Sequence, residues 1–272
     1  MKVLKNTKID ELPVIEQNAD RLNLPYKPPK PFPDGNFVFL IIGAPGSGKT
    51  SFWNSLLLAR PTKKNKRIPR VYYRYFDKIL LFSPSLGTLP NDKLQLNPER
   101  MFEKYTDEEL LKFIESEKDG ENLNNLIIID DSIKQIKNNK VVHGLICNRR
   151  HLTYNPNEEH QAGLSVIITS QKFNALDTIV RLNASDIILY PTNNQKEITS
   201  IRDELMADLT TSQQDELLKK AWDKPHSFLY IKTYMPTKDR YYVKFDKVVF
   251  EDDELKAFPL EEQKMDEKEI KS

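Results

Sequence analysis

Eight consecutive residues, Gly43-Ala44-Pro45-Gly46-Ser47-Gly48-Lys49-Thr50, fit the pattern GxxxxGK[ST] in full, with an apolar run before them and helix-forming residues after. That order of types suits a polyphosphate. Glycines let the backbone curl so that successive N–H groups and the N-terminus of the following helix point at the anion. Lys49 is expected to reach the β- and γ-phosphates. The Thr50 hydroxyl offers a hard oxygen to Mg²⁺, an ion that keeps several waters and takes few protein ligands. The expected binding set is Gly43, Ala44, Pro45, Gly46, Ser47, Gly48, Lys49, Thr50 and Ser51, with ATP and Mg²⁺ as the cofactors.

Eighty residues beyond Thr50, Leu126-Ile127-Ile128-Ile129-Asp130-Asp131 ends an apolar run in two carboxylates. A Walker B strand delivers its acid beside the metal in this way. Asp130 is expected to hold Mg²⁺ with Thr50, through water. Asp131 occupies the place of a carboxylate that polarises an attacking water; the alternative is that it caps the next helix. Another apolar run, from Leu164 to Thr169, leads into Ser170 and Gln171. Gln171 is placed to sense a γ-phosphate or to orient that water. Lys49, Asp131 and Gln171 are the candidate catalytic groups from these three motifs.

For such groups to converge, the strands that carry them must end at one edge of a sheet. Short continuous apolar runs alternate here with helical patterns, the habit of a mostly parallel sheet covered by helices. Five core strands are expected, at residues 37–42, 79–82, 126–130, 164–169 and 186–190. The strand at 79–82, between the P-loop and the paired acids, points to an additional-strand NTPase rather than a nucleotide kinase. One helix follows the P-loop, and Thr106 with Glu109 three positions on announces another. A third is expected from Lys134 towards Cys147, with more over 195–209 and 212–222. Segments 228–234 and 240–245 read as a hairpin turning at 236–239. The fold class is α/β, with a mostly parallel central sheet flanked by helices and a C-terminal β-hairpin.

A chain of 272 residues can hold one large α/β domain with extensions. Forty-one basic against forty acidic residues leave a net charge of +1, so overall electrostatics neither require nor exclude a nucleic-acid partner. No apolar run approaches the roughly 20 residues of a membrane-spanning helix. The lone Cys147 cannot form an internal disulfide and reads as a small buried hydrophobe. Pro25, Pro28, Pro29, Pro31 and Pro33 favour an extended arm over residues 1–35. A core at 36–210, a helix and hairpin at 211–250 and a loose charged tail at 251–272 complete the expected organisation.

Read in order, the P-loop, the Asp130-Asp131 pair, Asn148-Arg149-Arg150-His151, the strand before Gln171, and Ile179-Val180-Arg181-Leu182-Asn183 resemble one family. It is that of the genome-packaging ATPases of large DNA viruses and virophages, the poxvirus-type branch of the FtsK/HerA superfamily. The resemblance covers about residues 37–205. It implies an additional-strand P-loop fold of the RecA/FtsK-like type. It also implies a ring of five or six identical subunits that hydrolyses ATP to drive double-stranded DNA into a preformed capsid. The capsid or portal vertex would be a partner, and the host-cell cytoplasm, the viral assembly site or the virion the location. An arginine supplied by a neighbouring subunit can contribute about 10³ to 10⁵ in rate at such sites. Arg149, Arg150 and Arg181 are the candidates, each with the alternative of a surface ion pair or a helix end.

Two basic stretches are candidate DNA contacts: Arg60, Lys63, Lys64, Lys66, Arg67, Arg70 and Arg74, which run into Tyr72, Tyr73, Tyr75 and Phe76, and then Lys134, Lys137 and Lys140. The alternatives are a solvated loop and tyrosines that pack a strand. A kinase and a nucleotide-dependent scaffold with little turnover are the competing functional readings. No Asn-Lys-x-Asp motif follows the fourth strand, which argues against a GTPase.

Overall fold

The computed structural model describes residues 24–63, 65–118, 124–153, 163–251 and 254–258. In chain order the elements are β1 Val38–Ile42, α1 Lys49–Leu58, β2 Lys78–Phe82, α2 Asn91–Leu94, β3 Met101–Phe102, α3 Asp107–Ser116, β4 Asn124–Ile129, α4 Ile133–Ile136, α5 Lys140–Asn148, β5 Gly163–Ser170, α6 Thr178–Leu182, β6 Asp186–Leu189, α7 Gln195–Leu205, α8 Thr211–Ala221, β7 Leu229–Lys232, β8 Tyr241–Val243, β9 Asp246–Glu251 and β10 Glu254–Phe258. They build one sheet in the order β10-β9-β8-β7-β6-β1-β5-β4-β2-β3. From β6 to β3 every neighbouring pair is parallel. From β6 out to β10 every pair is antiparallel.

The parallel strands are apolar throughout because both of their faces are covered. Along β1, Val38, Leu40 and Ile42 enter the core on one face, while Phe39 and Ile41 enter the core on the other. The first face is sealed by Leu110 and Phe113 of α3, Val142 and Leu145 of α5, Val180 of α6, Ile201 of α7 and Leu217 of α8. The second is sealed by Trp53 and Leu56 of α1 and by an aromatic layer that includes Tyr72 and Tyr75. Both tyrosines are buried, so they pack the sheet, as the second reading of that stretch had it.

The strand inserted between β1 and β4 is β5, the one that leads to Gln171; β2 lies outside β4. The additional strand is therefore not the one at 79–82, because β4 pairs with β5 on one side and with β2 on the other. The helix expected from Lys134 to Cys147 is broken. Asn138 adopts φ 56°, and the Asn139 side chain caps α5 by accepting from Val141 N and Val142 N. Lys134, Lys137 and Lys140 are all exposed but do not share one helix. Cys147 is exposed, not buried, because α5 turns that position outward.

Both chain ends differ from expectation. Residues 1–23 of the expected arm lie outside the described residues, yet the part from residue 24 is built into the fold. Phe32 is buried and packs against Tyr72 and Phe245. Tyr72 Oη donates to Pro33 O at 2.8 Å, Tyr26 Oη to Val71 O at 2.9 Å, and Lys232 Nζ to Pro31 O at 2.5 Å. The segment is not extended throughout, since Phe32 N donates to Pro29 O at 3.0 Å and closes a turn; the Pro31 and Pro33 carbonyls, having no strand partner, take side-chain donors. At the other end the expected hairpin forms, with Leu229 opposite Val243. It continues into β9 and β10, so part of the stretch expected to be a loose tail is sheet. Residues 259–272 lie outside the described residues. No helix among the described residues is long and apolar enough to cross a membrane.

Candidate active site

Because β1, β2, β4, β5 and β6 are parallel, their C-terminal ends share one edge, where open α/β sheets bind ligands. Gly43 follows β1, Ser83 follows β2, Asp130 follows β4, Gln171 follows β5 and Tyr190 follows β6. The P-loop, the paired acids and the sensor strand, separate in sequence, therefore meet in space.

Gly46 and Gly48 hold φ of 77° and 106°, backbone that residues with a Cβ rarely adopt. At Gly43 the constraint is space, since an added Cβ would stand 2.7 Å from Tyr190 Cβ. α1 begins at Lys49 with Gly48 as its N-cap and no side-chain cap; its first turn holds no acidic residue. The first intrahelical bond is Phe52 N to Gly48 O at 2.8 Å, so the N–H groups of Lys49, Thr50 and Ser51 have no helical acceptor. They form an electropositive helix end suited to phosphate oxygens. Lys49 Nζ donates to Gly43 O at 2.7 Å and to Ala44 O at 3.2 Å. Burial pulls Lys49 below the ordinary lysine range, while Asp131 and Asp130 act in the opposite sense.

Three hydroxyls converge on the buried Asp130 carboxylate. Thr169 Oγ1 donates to Oδ1 at 2.7 Å, and Ser83 Oγ and Thr50 Oγ1 donate to Oδ2 at 2.9 and 3.3 Å. Thr169 Oγ1 also accepts from the Asp131 N–H at 2.9 Å, so one side chain orients both acids. Asp131 adopts φ 48°, which turns it out of the strand. Its carboxylate accepts from Gln171 Nε2, 2.9 Å from Oδ2 and 3.2 Å from Oδ1. The N-cap position of the next helix is Ser132, which makes no side-chain cap, so Asp131 does not serve as its cap.

Thr50 and Asp130 are neighbouring hard oxygen donors, and no group of three or more His, Cys, Asp or Glu among the described residues could hold a metal. A site with two protein oxygens and the rest left to water or phosphate fits Mg²⁺.

The arginines lie elsewhere. Arg149 is buried, with Nε donating to Asn36 O at 2.6 Å and Nη1 to Ile146 O at 2.7 Å. It ties the end of α5 to the residues before β1, at the sheet edge opposite the P-loop. Burial, then the charge of Arg150, pulls Arg149 below the ordinary arginine range. Arg181 forms a two-pronged pair with Glu204 at 2.9 and 2.8 Å and donates to Leu176 O at 2.5 Å. Both are thus engaged within their own chain, the helix-end and ion-pair alternatives respectively: two backbone carbonyls take the Arg149 guanidinium, and the Glu204 carboxylate with the Leu176 carbonyl takes that of Arg181. Arg150 and His151, which follow Arg149, are exposed.

In the basic stretch, Arg60 packs over the Tyr73 ring at 4.3 Å and Arg70 over Tyr26 at 4.0 Å. Lys63, Lys66 and Arg67 are exposed, and Lys64 lies outside the described residues.

Ser83, Thr169, Tyr190 and His226 belong to the site but were not singled out from sequence. Thr169 carried a signal, a hydroxyl ending an apolar run two positions before Gln171. Ser83 and His226 carried none, because only the sheet order and the return of the C-terminal segment bring them here.

No protein-family model and no curated protein matches this chain. Solved structures do. The genome packaging NTPase B204 from Sulfolobus turreted icosahedral virus 2, in complex with AMP, is similar with a TM-score of 0.51 at 15% identity, over 78% of this chain and 98% of that one. The same protein in complex with sulfate gives 0.51 at 17% identity over 84% and 98%. Its complex with ATP-gammaS gives 0.50 at 15% over 77% and 96%. This chain has an α/β P-loop NTPase fold, the fold of these genome packaging NTPase structures.

Proposed function

We propose that this chain is a viral genome-packaging ATPase that hydrolyses ATP and, as a ring of five or six copies, moves double-stranded DNA into a preformed capsid. The observation that carries the reading is the meeting of Lys49, Thr50, Asp130, Asp131 and Gln171 at one sheet edge, with Gln171 directly after the inserted strand. A phosphate cradle alone would serve binding. A carboxylate and an amide held together beside it supply a place for a water.

In this reading the P-loop N–H groups and Lys49 hold the triphosphate, and Lys49 exchanges its two carbonyl acceptors for phosphate oxygens. Mg²⁺, when bound, neutralises charge on the phosphate oxygens and polarises them. Thr50 and Asp130 are the residues that would hold it. Asp131 accepts a hydrogen bond from the attacking water, and Gln171 orients both the carboxylate and the water. The kinase reading loses ground because β5 stands between β1 and β4.

Arg150 is assigned to the neighbouring subunit's site. It is exposed and lies next to Arg149, which is tied to the residues before β1 at the edge opposite its own P-loop. The five-residue β1 sets those edges roughly 17 Å apart, at about 3.3 Å per residue. The exposed loop with Lys63, Lys66 and Arg67 is assigned to DNA phosphate. It follows α1 and so lies at that same opposite edge, separate from the nucleotide. The fold shared with packaging NTPases supports this assignment, and the capsid or portal vertex, in the host cytoplasm, assembly site or virion, is the proposed docking partner.

The test of the chemistry is product analysis with ATP as the only nucleotide. ADP and phosphate should appear in equal amounts; ADP formed only when a nucleoside monophosphate is added would shift the assignment to a kinase.

A further inference from the structure

The loop between α8 and β7 returns to the P-loop. His226 Nδ1 lies 3.0 Å from the carbonyl oxygen of Ser47. A carbonyl only accepts, so Nδ1 carries the proton in this contact. We propose that His226 is a positioning residue for the phosphate site, holding the Ser47–Gly48 peptide so that the Gly48 N–H is presented to a bound phosphate. This rests on the reading that the P-loop holds a triphosphate, and extends it by making a loop of the C-terminal extension part of that site.

The argument is one of peptide geometry. In a trans peptide the C=O and the following N–H point in opposite directions. A donor that fixes Ser47 O on the His226 side therefore turns Gly48 N–H away from His226. Gly48, at φ 106° and without a side chain, offers little resistance of its own to rotation of that peptide. No side chain caps α1 there either, so the contact from His226 supplies a restraint that the helix end lacks.

The loop is built to deliver the donor. His226 adopts φ 58°, a left-handed conformation that a histidine keeps only when its surroundings hold it. Ser227 N donates to Lys224 O at 3.1 Å, closing the turn. Phe228 is buried edge-on against Phe52 of α1 at 5.3 Å and against Tyr190 at 5.6 Å. Tyr190 is the residue whose Cβ limits Gly43 to glycine. The donor, the helix and the first glycine of the P-loop thus share one aromatic support.

Three substitutions separate the contact from the backbone. His226→Gly removes the imidazole and relieves the left-handed φ. His226→Asn tolerates that φ and keeps an N–H donor where Nδ1 stands. His226→Gln moves its amide to the place of Nε2. Two readouts are needed: hydrogen exchange of peptides spanning residues 43–50 in nucleotide-free protein, and the dissociation constant of a fluorescent, non-hydrolysable ATP analogue. His226→Gly should speed exchange in that peptide alone and weaken the analogue about five- to tenfold, the effect of one hydrogen bond. His226→Asn should stay within about twofold of the parent, a few tenths of a hydrogen bond, with His226→Gln nearer the glycine variant. Unchanged exchange and affinity in His226→Gly, or an asparagine variant as impaired as the glycine one, would overturn the assignment. A parent protein that does not bind the analogue would contradict the triphosphate reading, while the exchange result would still decide the role of His226.

Discussion

Gln171 Nε2 donates to the Asp131 carboxylate from the end of the neighbouring strand, 2.9 Å from Oδ2 and 3.2 Å from Oδ1. The two residues are forty positions apart in the chain, and both are exposed towards the P-loop edge. If they hold one water together, they act as a unit. Asp131→Asn should retain ATP binding and lower turnover by about 10² or more, and Gln171→Ala should lower it about tenfold to a hundredfold. The double variant should be little worse than Asp131→Asn. Single-turnover phosphate release decides this, and fully multiplicative losses would show that the two act separately.

Thr169 orients Asp130 and Asp131 at once. Thr169→Val keeps the shape of the strand but removes the hydroxyl, leaving the Asp131 N–H and one Asp130 oxygen without that partner. The Mg²⁺ concentration for half-maximal hydrolysis should rise about tenfold, as losses around metal ligands commonly do. A Mg²⁺ titration of phosphate release measures it; an unchanged midpoint would remove Thr169 from the metal site.

Arg149 and Arg150 are adjacent in sequence and opposite in burial. Arg149→Ala strips donors from Asn36 O and Ile146 O and opens a void, so the protein should lose about 2–4 kcal/mol of stability. Arg150→Ala should change the denaturation midpoint little and lower turnover at high protein concentration. Mixing Arg150→Ala with Asp131→Asn subunits should restore some activity, because a mixed ring contains interfaces in which both groups are intact.

Lys49 is held below the ordinary lysine value of 10.5 by burial, against the opposing charges of Asp131 and Asp130. Its charge attracts phosphate, so ATP affinity should fall as pH rises, beginning below the range in which ordinary lysines titrate. The sign for stability is opposite. Between the lowered folded value and the unfolded one, the unfolded chain binds more protons, so this group makes the nucleotide-free protein more stable with rising pH. Binding titrations test the first direction and denaturation midpoints of the nucleotide-free protein the second, both across alkaline pH with Lys49→Arg as the control that keeps its charge.

Much of the site was legible because each motif carries its own punctuation. Gly43 to Thr50 is a complete phosphate pattern, and the runs before Asp130 and Gln171 are apolar on both faces because they lie inside the sheet. The order of strands was not legible. Nothing in residues 79–82 or 164–169 tells which one enters between β1 and β4, since both are apolar and both precede a crossover. The break at Asn138 was missed because one left-handed residue ends a helix without changing the apolar pattern. Charges around residues 246–258 masked β9 and β10, and prolines masked the packing of Phe32. His226 is positive-φ and remote from every motif, so only the folded chain reveals its contact with Ser47.

The most direct measurement of the central claim is the mass of the particle and its rate of phosphate release from ATP, recorded together over a range of protein concentrations with and without duplex DNA. The account predicts that rate per subunit rises steeply with concentration as five- or six-membered rings form, that duplex DNA raises it further, and that high salt removes the DNA effect. A rate per subunit that is constant with concentration, from a monomer indifferent to DNA, would contradict it.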